Sequence, residues 1–308
     1  SENSIQESIA QIYIQILYAA ESVKVNENTL QVSIAQRDRG QELLNAGSIA
    51  KSDLAQLEAQ VSTDRYQLVT AQATLQDYKL QLKQLLELDG ENEMNVYLPA
   101  LSDENVLLPL PTKKDVYMSA LTLRPEIEAS KLSVEASELG IDIAKAGYLP
   151  TISLSAGIGT NHTSGSDFTF GEQVKNGWNN SIGVSVSVPI FNNRQTKSAV
   201  QKAKLQRETS LLSLLDEQKT LYKTIEGLWL DANSAQQRYA AANEKLRSAQ
   251  ISYDLISEQF NLGMRNTVEL LTEKNNLLQA QQEQLQAKYM AILNTQLLKF
   301  YQGDQLAL

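Results

Sequence analysis

Between Gln195 and Phe260 the chain contains no proline and a single glycine, Gly227. A run of this length without a breaker has few ways to fold. As one α-helix it would extend about 100 Å, at about 1.5 Å per residue. Leu214, Leu221, Leu228, Ala235, Ala242, Ala249 and Ile256 recur within it every seven residues, the spacing that winds helices into a left-handed supercoil. The alanines in this line require a close neighbouring helix. Leu54, Val61, Leu68, Leu75 and Leu82 keep the same period upstream, and Leu271, Leu278, Leu285 and Ile292 keep it downstream. With 14 Gly, 6 Pro and 6% aromatic residues among 308, the chain has too little turn chemistry for a β or α/β globule, so the class is mainly α. An ordinary antiparallel coiled coil accounts for these stripes equally well.

An internal repeat organises the helices. Asn45-Ala46-Gly47 corresponds to Asn261-Leu262-Gly263 at an offset of 216 residues, and each Gly is followed by an acid and a leucine, Asp53-Leu54 and Glu269-Leu270. The same offset pairs Ala19 with Ala235, Leu30 with Leu246 and Leu82-Lys83 with Leu298-Lys299. Three regions follow. Residues 1–90 form a first helical hairpin, with helices expected from about Ile5 to Leu44 and from about Ser52 to Leu88. Residues 91–122, with Pro99, Pro109 and Pro111, read as an irregular crossover. Residues 123–308 form a fuller repeat, with a short helix from Glu126 to Gly147, a β-hairpin over 149–191, a long helix over 195–260 and a return helix over 267–301. Ser1 aligns with Glu217, deep in the long helix, so the first repeat is expected to lack its short helix, its strand pair and half of a long helix.

The two strands carry the functional signal. From Leu149 to Thr160, Ile152, Leu154, Ala156 and Ile158 alternate with Thr151, Ser153, Ser155, Gly157 and Gly159. From Asn180 to Phe191, Ile182, Val184, Val186, Val188 and Ile190 alternate with small polar residues and Pro189. A tilted membrane-spanning strand needs about 9–11 residues, apolar toward lipid and polar toward a lumen, and both segments meet this. Ile152, Leu154, Ile158, Ile182, Val184, Val186 and Val188 are the expected lipid-facing residues. A water-soluble hairpin lying on a helix is the competing reading. Isolated hairpins are marginal, however, and open strand edges cannot stand in lipid, so a membrane hairpin must be completed by others into a closed barrel.

A net charge of −9, with no basic cluster longer than Lys113-Lys114, argues against a nucleic-acid surface. There are no cysteines for disulfides or thiolate metal sites. No apolar run is long enough for a transmembrane helix, and the first residues have neither the basic nor the apolar region of a signal peptide. No phosphate-binding loop or HExxH motif occurs, and the single histidine, His162, falls in the polar strand-connecting loop. Neither an enzyme nor a cofactor is expected.

Leu123-Arg124-Pro125-Glu126-Ile127, then Gly147-Tyr148-Leu149-Pro150, then Val188-Pro189-Ile190-Phe191 ahead of a long helix, resembles the TolC-like outer-membrane efflux family in an N-terminally truncated form. Leu44-Asn45-Ala46-Gly47 and Phe260-Asn261-Leu262-Gly263 are similar to the helix tips of that family. The resemblance implies long antiparallel helices forming an α-barrel, with the hairpin contributing to a transmembrane β-barrel. It also implies a homotrimer in outer-membrane lipid that extends into the periplasm, partnered by a periplasmic adaptor and an inner-membrane transporter. Here one strand pair per chain stands where the family supplies two. The resemblance further implies a periplasmic gate at Ser52, Asp53, Phe260, Arg265 and Glu269, and adaptor docking at Asn45, Gly47, Asn261 and Gly263. Phe260 stands where a Tyr is expected, and a second ring carboxylate falls on Thr272, beside Glu273. A structural role competes at the gate: Ser48 or Ser52 could cap the outgoing helix, and Asp53 and Glu269 could complement its positive end. A passive export channel is thus expected. The alternative is a coiled-coil scaffold or periplasmic adaptor without a pore.

Overall fold

The computed structural model describes residues 2–88, 95–99 and 106–306. Seven helices and two strands follow in the order α1 (Glu2–Asn45), α2 (Lys51–Leu85), α3 (Lys113–Leu123), α4 (Pro125–Ala146), β1 (Thr151–Gly159), α5 (Phe170–Asn176), β2 (Asn179–Ser187), α6 (Gln195–Asn261) and α7 (Thr267–Gln302). The long unbroken run is one helix of 67 residues. The crossover contains a helix that the proline-rich pattern obscured. Thr112 caps α3, exchanging hydrogen bonds with Asp115, and Val116 and Ala120, one turn apart, are buried. Residues 89–94 and 100–105 of the crossover lie outside the described residues.

The chain divides into two compact units, residues 1–123 with 221–308, and residues 124–220. This division follows packing, whereas the sequence repeat follows topology, so the two boundaries differ.

In the first unit, α1 and α2 pack antiparallel, as do α6 and α7. α1 also runs antiparallel to α7, with Ile14 and Leu17 set among Leu285, Tyr289, Leu293 and Leu297. A second cluster joins both hairpins through Leu43, Leu57, Phe260 and Leu270, and a third sets Val106 of the crossover against Ala235, Tyr239 and Ala291. Burying each such Leu or Phe is worth about 1.5–3 kcal/mol. The predicted stripes on α2 and α6 face inward, and Ala235 and Ala242 are buried as close approach requires. On the first half of α7 the most deeply buried line is Thr267, Leu270, Lys274 and Leu277, one residue ahead of the predicted Leu271 and Leu278. Gly40 marks a tight crossing of α1 and α2, since a Cβ there would overlap Cδ1 of Leu57. The crossover is strapped to α6: Gln236 donates to the carbonyls of Val106 and Leu108, Trp229 to that of Pro111, and Lys113 pairs with Glu226 at 2.8 Å.

The second unit holds the hairpin. β1 and β2 pair antiparallel in the register Ile152↔Val186, Leu154↔Val184, Ala156↔Ile182, Ser153↔Ser185 and Gly157↔Ser181. Opposed residues share a face, so one face is apolar and the other small and polar. The strands are shorter than predicted at one end. Continuing the ladder past Thr151↔Ser187 would oppose Pro150 to Val188 and then involve Pro189, and proline has no N–H to donate. Val188, expected on the strand, therefore lies just beyond it. α4 begins with Pro125 at its first turn and carries an Arg207–Glu138 ion pair to α6 at 2.8 Å.

Candidate functional site

The two glycine turns are superposable in their bonding. α1 ends with Gly47 at φ +73°, its N–H donating to Leu44 O at 2.9 Å and that of Ser48 to Leu43 O at 2.8 Å. α6 ends with Gly263 at φ +73°, its N–H donating to Phe260 O at 2.9 Å and that of Met264 to Gln259 O at 2.9 Å. This left-handed glycine cap satisfies the last carbonyls of each helix, and residues other than glycine rarely adopt it. The repeat seen as sparse identities is thus a repeat of backbone geometry. Asn45, Gly47, Asn261 and Gly263 are all exposed at these turns.

The helices leaving the turns are capped unequally. At α7, Asn266 Oδ1 accepts from the Glu269 N–H at 2.9 Å and Glu269 Oε2 accepts from the Asn266 N–H at 3.3 Å, a reciprocal box. At α2 the cap residue is Ala50, which has no side-chain acceptor, and only Asp53 reaches back, accepting from the Ala50 N–H at 3.0 Å. Arg265 adds an ion pair to Glu269 at 3.1 Å and donates to Gln259 at 2.8 Å.

Four of the five expected gate residues come together. Asp53, Phe260, Arg265 and Glu269 line a cleft of about 440 Å³ between the two turns, together with Ser48, Ile49 and Met264. Ser52 is exposed on the first turn of α2 and does not line it. Phe260 is 2% exposed and belongs to the core beneath the cleft, so it anchors the turn by packing. Arg39, which sequence reasoning passed over, ties the two turns together by donating to Asn261 O at 3.3 Å while pairing with Glu42 at 2.7 Å. A larger groove of about 600 Å³ runs between α6 and α7, lined by Ala235, Ala242 and Ala287 and by the Lys245–Glu283 pair at 2.6 Å.

Further into the helical unit, Ser33 of α1, Asp64 of α2 and Lys274 of α7 form a closed polar cluster. Lys274 donates to both Ser33 Oγ and Asp64 Oδ2, and Gln60 donates to Asp64 Oδ1 at 2.9 Å. The side chains of Asp64 and Lys274 are 2% and 3% exposed. Burial pushes the Lys274 ammonium below the usual lysine range, with its hydrogen bond and charge attraction to Asp64 pulling the other way.

On the hairpin every expected lipid-facing residue is exposed: Ile182 is 83% exposed, and Ile152, Leu154, Ile158, Val184 and Val186 lie on the same open face.

A family described as "Outer membrane efflux protein" matches residues 116–303. The chain belongs to that family. BepC, an outer membrane efflux protein of Brucella suis biovar 1 (strain 1330), is 26% identical over 294 residues, covering 95% of this chain and 61% of the relative. The outer membrane protein TolC of Escherichia coli (strain K12) is 26% identical over 300 residues, covering 92% of this chain and 58% of the relative. The chain therefore spans about three fifths of the length of these curated relatives. A crystal structure of CusC shares the fold, with a TM-score of 0.80 at 19% identity over 98% of this chain and 69% of that one. The likeness extends over nearly the whole chain, so the fold as described is shared with that channel.

Proposed function

We propose that the chain is part of a subunit of a passive outer-membrane efflux channel that extends into the periplasm. The observation that carries this reading is the hairpin. One face of Ile, Leu, Val and Ala, broken only by Asn180 at its loop end, stands open against a face of Ser, Thr, Asn and Gly. In water that face has no reason to exist, whereas in a closed membrane barrel it meets lipid and the small polar face lines a lumen. Two strands have two free edges, so barrel closure requires further strands: three copies of this hairpin give six, and a homotrimer of the full-length subunit would supply the rest. Exposed coiled-coil seams support association: Leu132, Leu139 and Ile143 on α4, and Leu205 and Leu212 on α6.

The glycine turns are the ends that an adaptor would meet, at Asn45, Gly47, Asn261 and Gly263, with an inner-membrane transporter supplying the energy. Asp53, Arg265 and Glu269 form the gate. Copies of a carboxylate around a narrow axis favour cations, and Arg265 holds Glu269 in a fixed position. No chemical step is involved, and the subunit is not an enzyme.

The test is planar-bilayer conductance of the full-length parent protein purified from membranes. Discrete, cation-preferring conductance is expected, with the preference reduced by Glu269→Gln together with Asp53→Asn. A water-soluble monomer without conductance would overturn the channel reading. Unchanged ion preference in the double variant would overturn the gate alone.

A further inference from the structure

The loop joining β1 to β2 carries a short helix, α5, two of whose polar residues bond the loop's own backbone. Glu172 accepts from Thr169 N–H at 2.9 Å and Thr169 Oγ1 at 2.8 Å, Gln173 donates to Phe168 O and accepts from the Thr163 N–H, both at 2.8 Å, and Thr160 Oγ1 donates to Val174 O at 3.1 Å. These bonds give a short loop helix a fixed shape, which its length alone would not. The opposite side is left open. Phe170, Gly171, Val174, Lys175 and Trp178 line a trough of about 490 Å³, with Phe170 65% and Trp178 58% exposed.

The trough adjoins the apolar face at its loop end: Trp178 immediately precedes β2, with Asn180 the one polar residue between it and Ile182, Val184 and Val186 in the even-numbered alternation. Length places it. Nine residues at about 3.3 Å each span about 30 Å, or about 21 Å when tilted by about 45°, close to the apolar band of about 25 Å that such barrels present. A hairpin crossing that band brings its loop end to the boundary between acyl chains and head groups. There an amphipathic aromatic such as Trp is favoured, and a lysine can lay its stem on apolar surface while its ammonium meets lipid phosphate.

We propose that α5 is an interfacial helix lying on the membrane surface, with Phe170, Val174 and Trp178 seated among the lipid head groups and Lys175 paired with their phosphates. The occupant of the trough is thus the lipid surface itself. This rests on the reading of the hairpin as membrane strands, and the experiment separates the two.

The 308 residues hold two tryptophans, so Trp229→Phe leaves Trp178 as their sole tryptophan reporter when the protein, freed of any other tryptophan, is reconstituted into vesicles. Brominated phospholipids quench tryptophan by contact. Bromines near the head-group end of the acyl chains are expected to quench Trp178 about twofold or more beyond bromines near the chain ends, as an interfacial position requires. A second reporter, Val184→Trp with Trp178→Phe and Trp229→Phe, is expected to show the reverse depth order. Phe170→Ser with Val174→Ser should weaken Trp178 quenching and leave the Val184→Trp reporter unchanged. Lys175→Glu should weaken it in anionic vesicles more than in zwitterionic ones. If the Val184→Trp reporter is quenched while Trp178 is not, the interfacial helix is refuted and the membrane hairpin stands. If Trp178 is shielded only as protein concentration rises, the trough binds a second copy and the proposal also falls. If neither reporter is quenched, both readings fall.

Discussion

The helical unit and the hairpin unit depart from the usual distribution of side chains in opposite senses. Inside the first, Asp64 and Lys274 are sealed with Ser33 where three helices meet. On the second, a continuous face of Ile, Leu and Val is fully open. The same desolvation physics explains both. A charge withdrawn from water survives only beside its partner, and an apolar face left outside persists only where the outside is not water. The proposed function draws on the same rule: the helical unit suits an aqueous exterior and an ordered interior, and the open face of the hairpin suits lipid.

The largest effect should come from breaking the pair inside the helices. Lys274→Met strands the Asp64 carboxylate and should cost about 3–5 kcal/mol. Asp64→Leu combined with Lys274→Met should recover most of that loss, because burial already outweighs the attraction that holds the ammonium. Urea unfolding of the full chain, followed by circular dichroism, measures both. A double variant as unstable as the single would show that the pair contributes net stability.

On the hairpin, Val184→Arg should cost about 2–4 kcal/mol of stability in vesicles, while Ser185→Arg on the opposite face should cost far less. Equal penalties at these adjacent positions would break the comparison, since only a lipid-facing side distinguishes them. Unfolding of the reconstituted protein against denaturant reads the difference.

Much of this was legible in the chain and some was hidden, for reasons that differ by residue. Unbroken heptads predicted α2, α6 and α7 because length and period both resist other readings, and strict alternation predicted β1 and β2 to within a few residues. α3 was missed because the prolines nearby dominated the pattern, although Thr112 and Asp115 are a capping pair. α5 was missed because seven residues, Phe170 to Asn176, are too few to show a helical period of their own. Asp64 and Lys274 were passed over because isolated charges on long helices are usually solvated. Their signal was positional: Asp64 follows Leu54, Leu57 and Val61 in heptad spacing, and Lys274 falls between Leu270 and Leu277. At the expected gate, the family resemblance pointed to Asp53, Arg265 and Glu269, which line one cleft. It could not show that Phe260 is buried, because an aromatic at a helix end reads the same whether it faces a cleft or a core.

Within the helical unit the two turns allow a finer comparison. Asn266→Ala should cost about 1 kcal/mol by removing the acceptor for the Glu269 N–H. Ala50→Asn should yield a gain of similar size, since it supplies the acceptor that α2 lacks. Thermal unfolding midpoints should move in opposite directions. Movement in the same direction would mean that the turns differ in more than their caps.

The smallest effect belongs to Lys245–Glu283, the exposed counterpart of the buried pair. Its hydrogen bond from Lys245, and then that from Gln279, hold the Glu283 carboxyl below its usual pKa of 4.5. A carboxyl lowered in this way contributes stability above its unfolded pKa and loses it as pH falls through the folded value, so the contribution is present at neutral pH and vanishes in the acid range. The carboxylate is 41% exposed, and solvent screening limits the effect to about 0.5 kcal/mol or less. Glu283→Gln should therefore match the parent chain in acid and fall slightly below it at neutral pH, with the gap closing in about 1 M salt. A loss as large as that of Lys274→Met would erase the distinction between the two pairs, since only their exposure to water sets them apart.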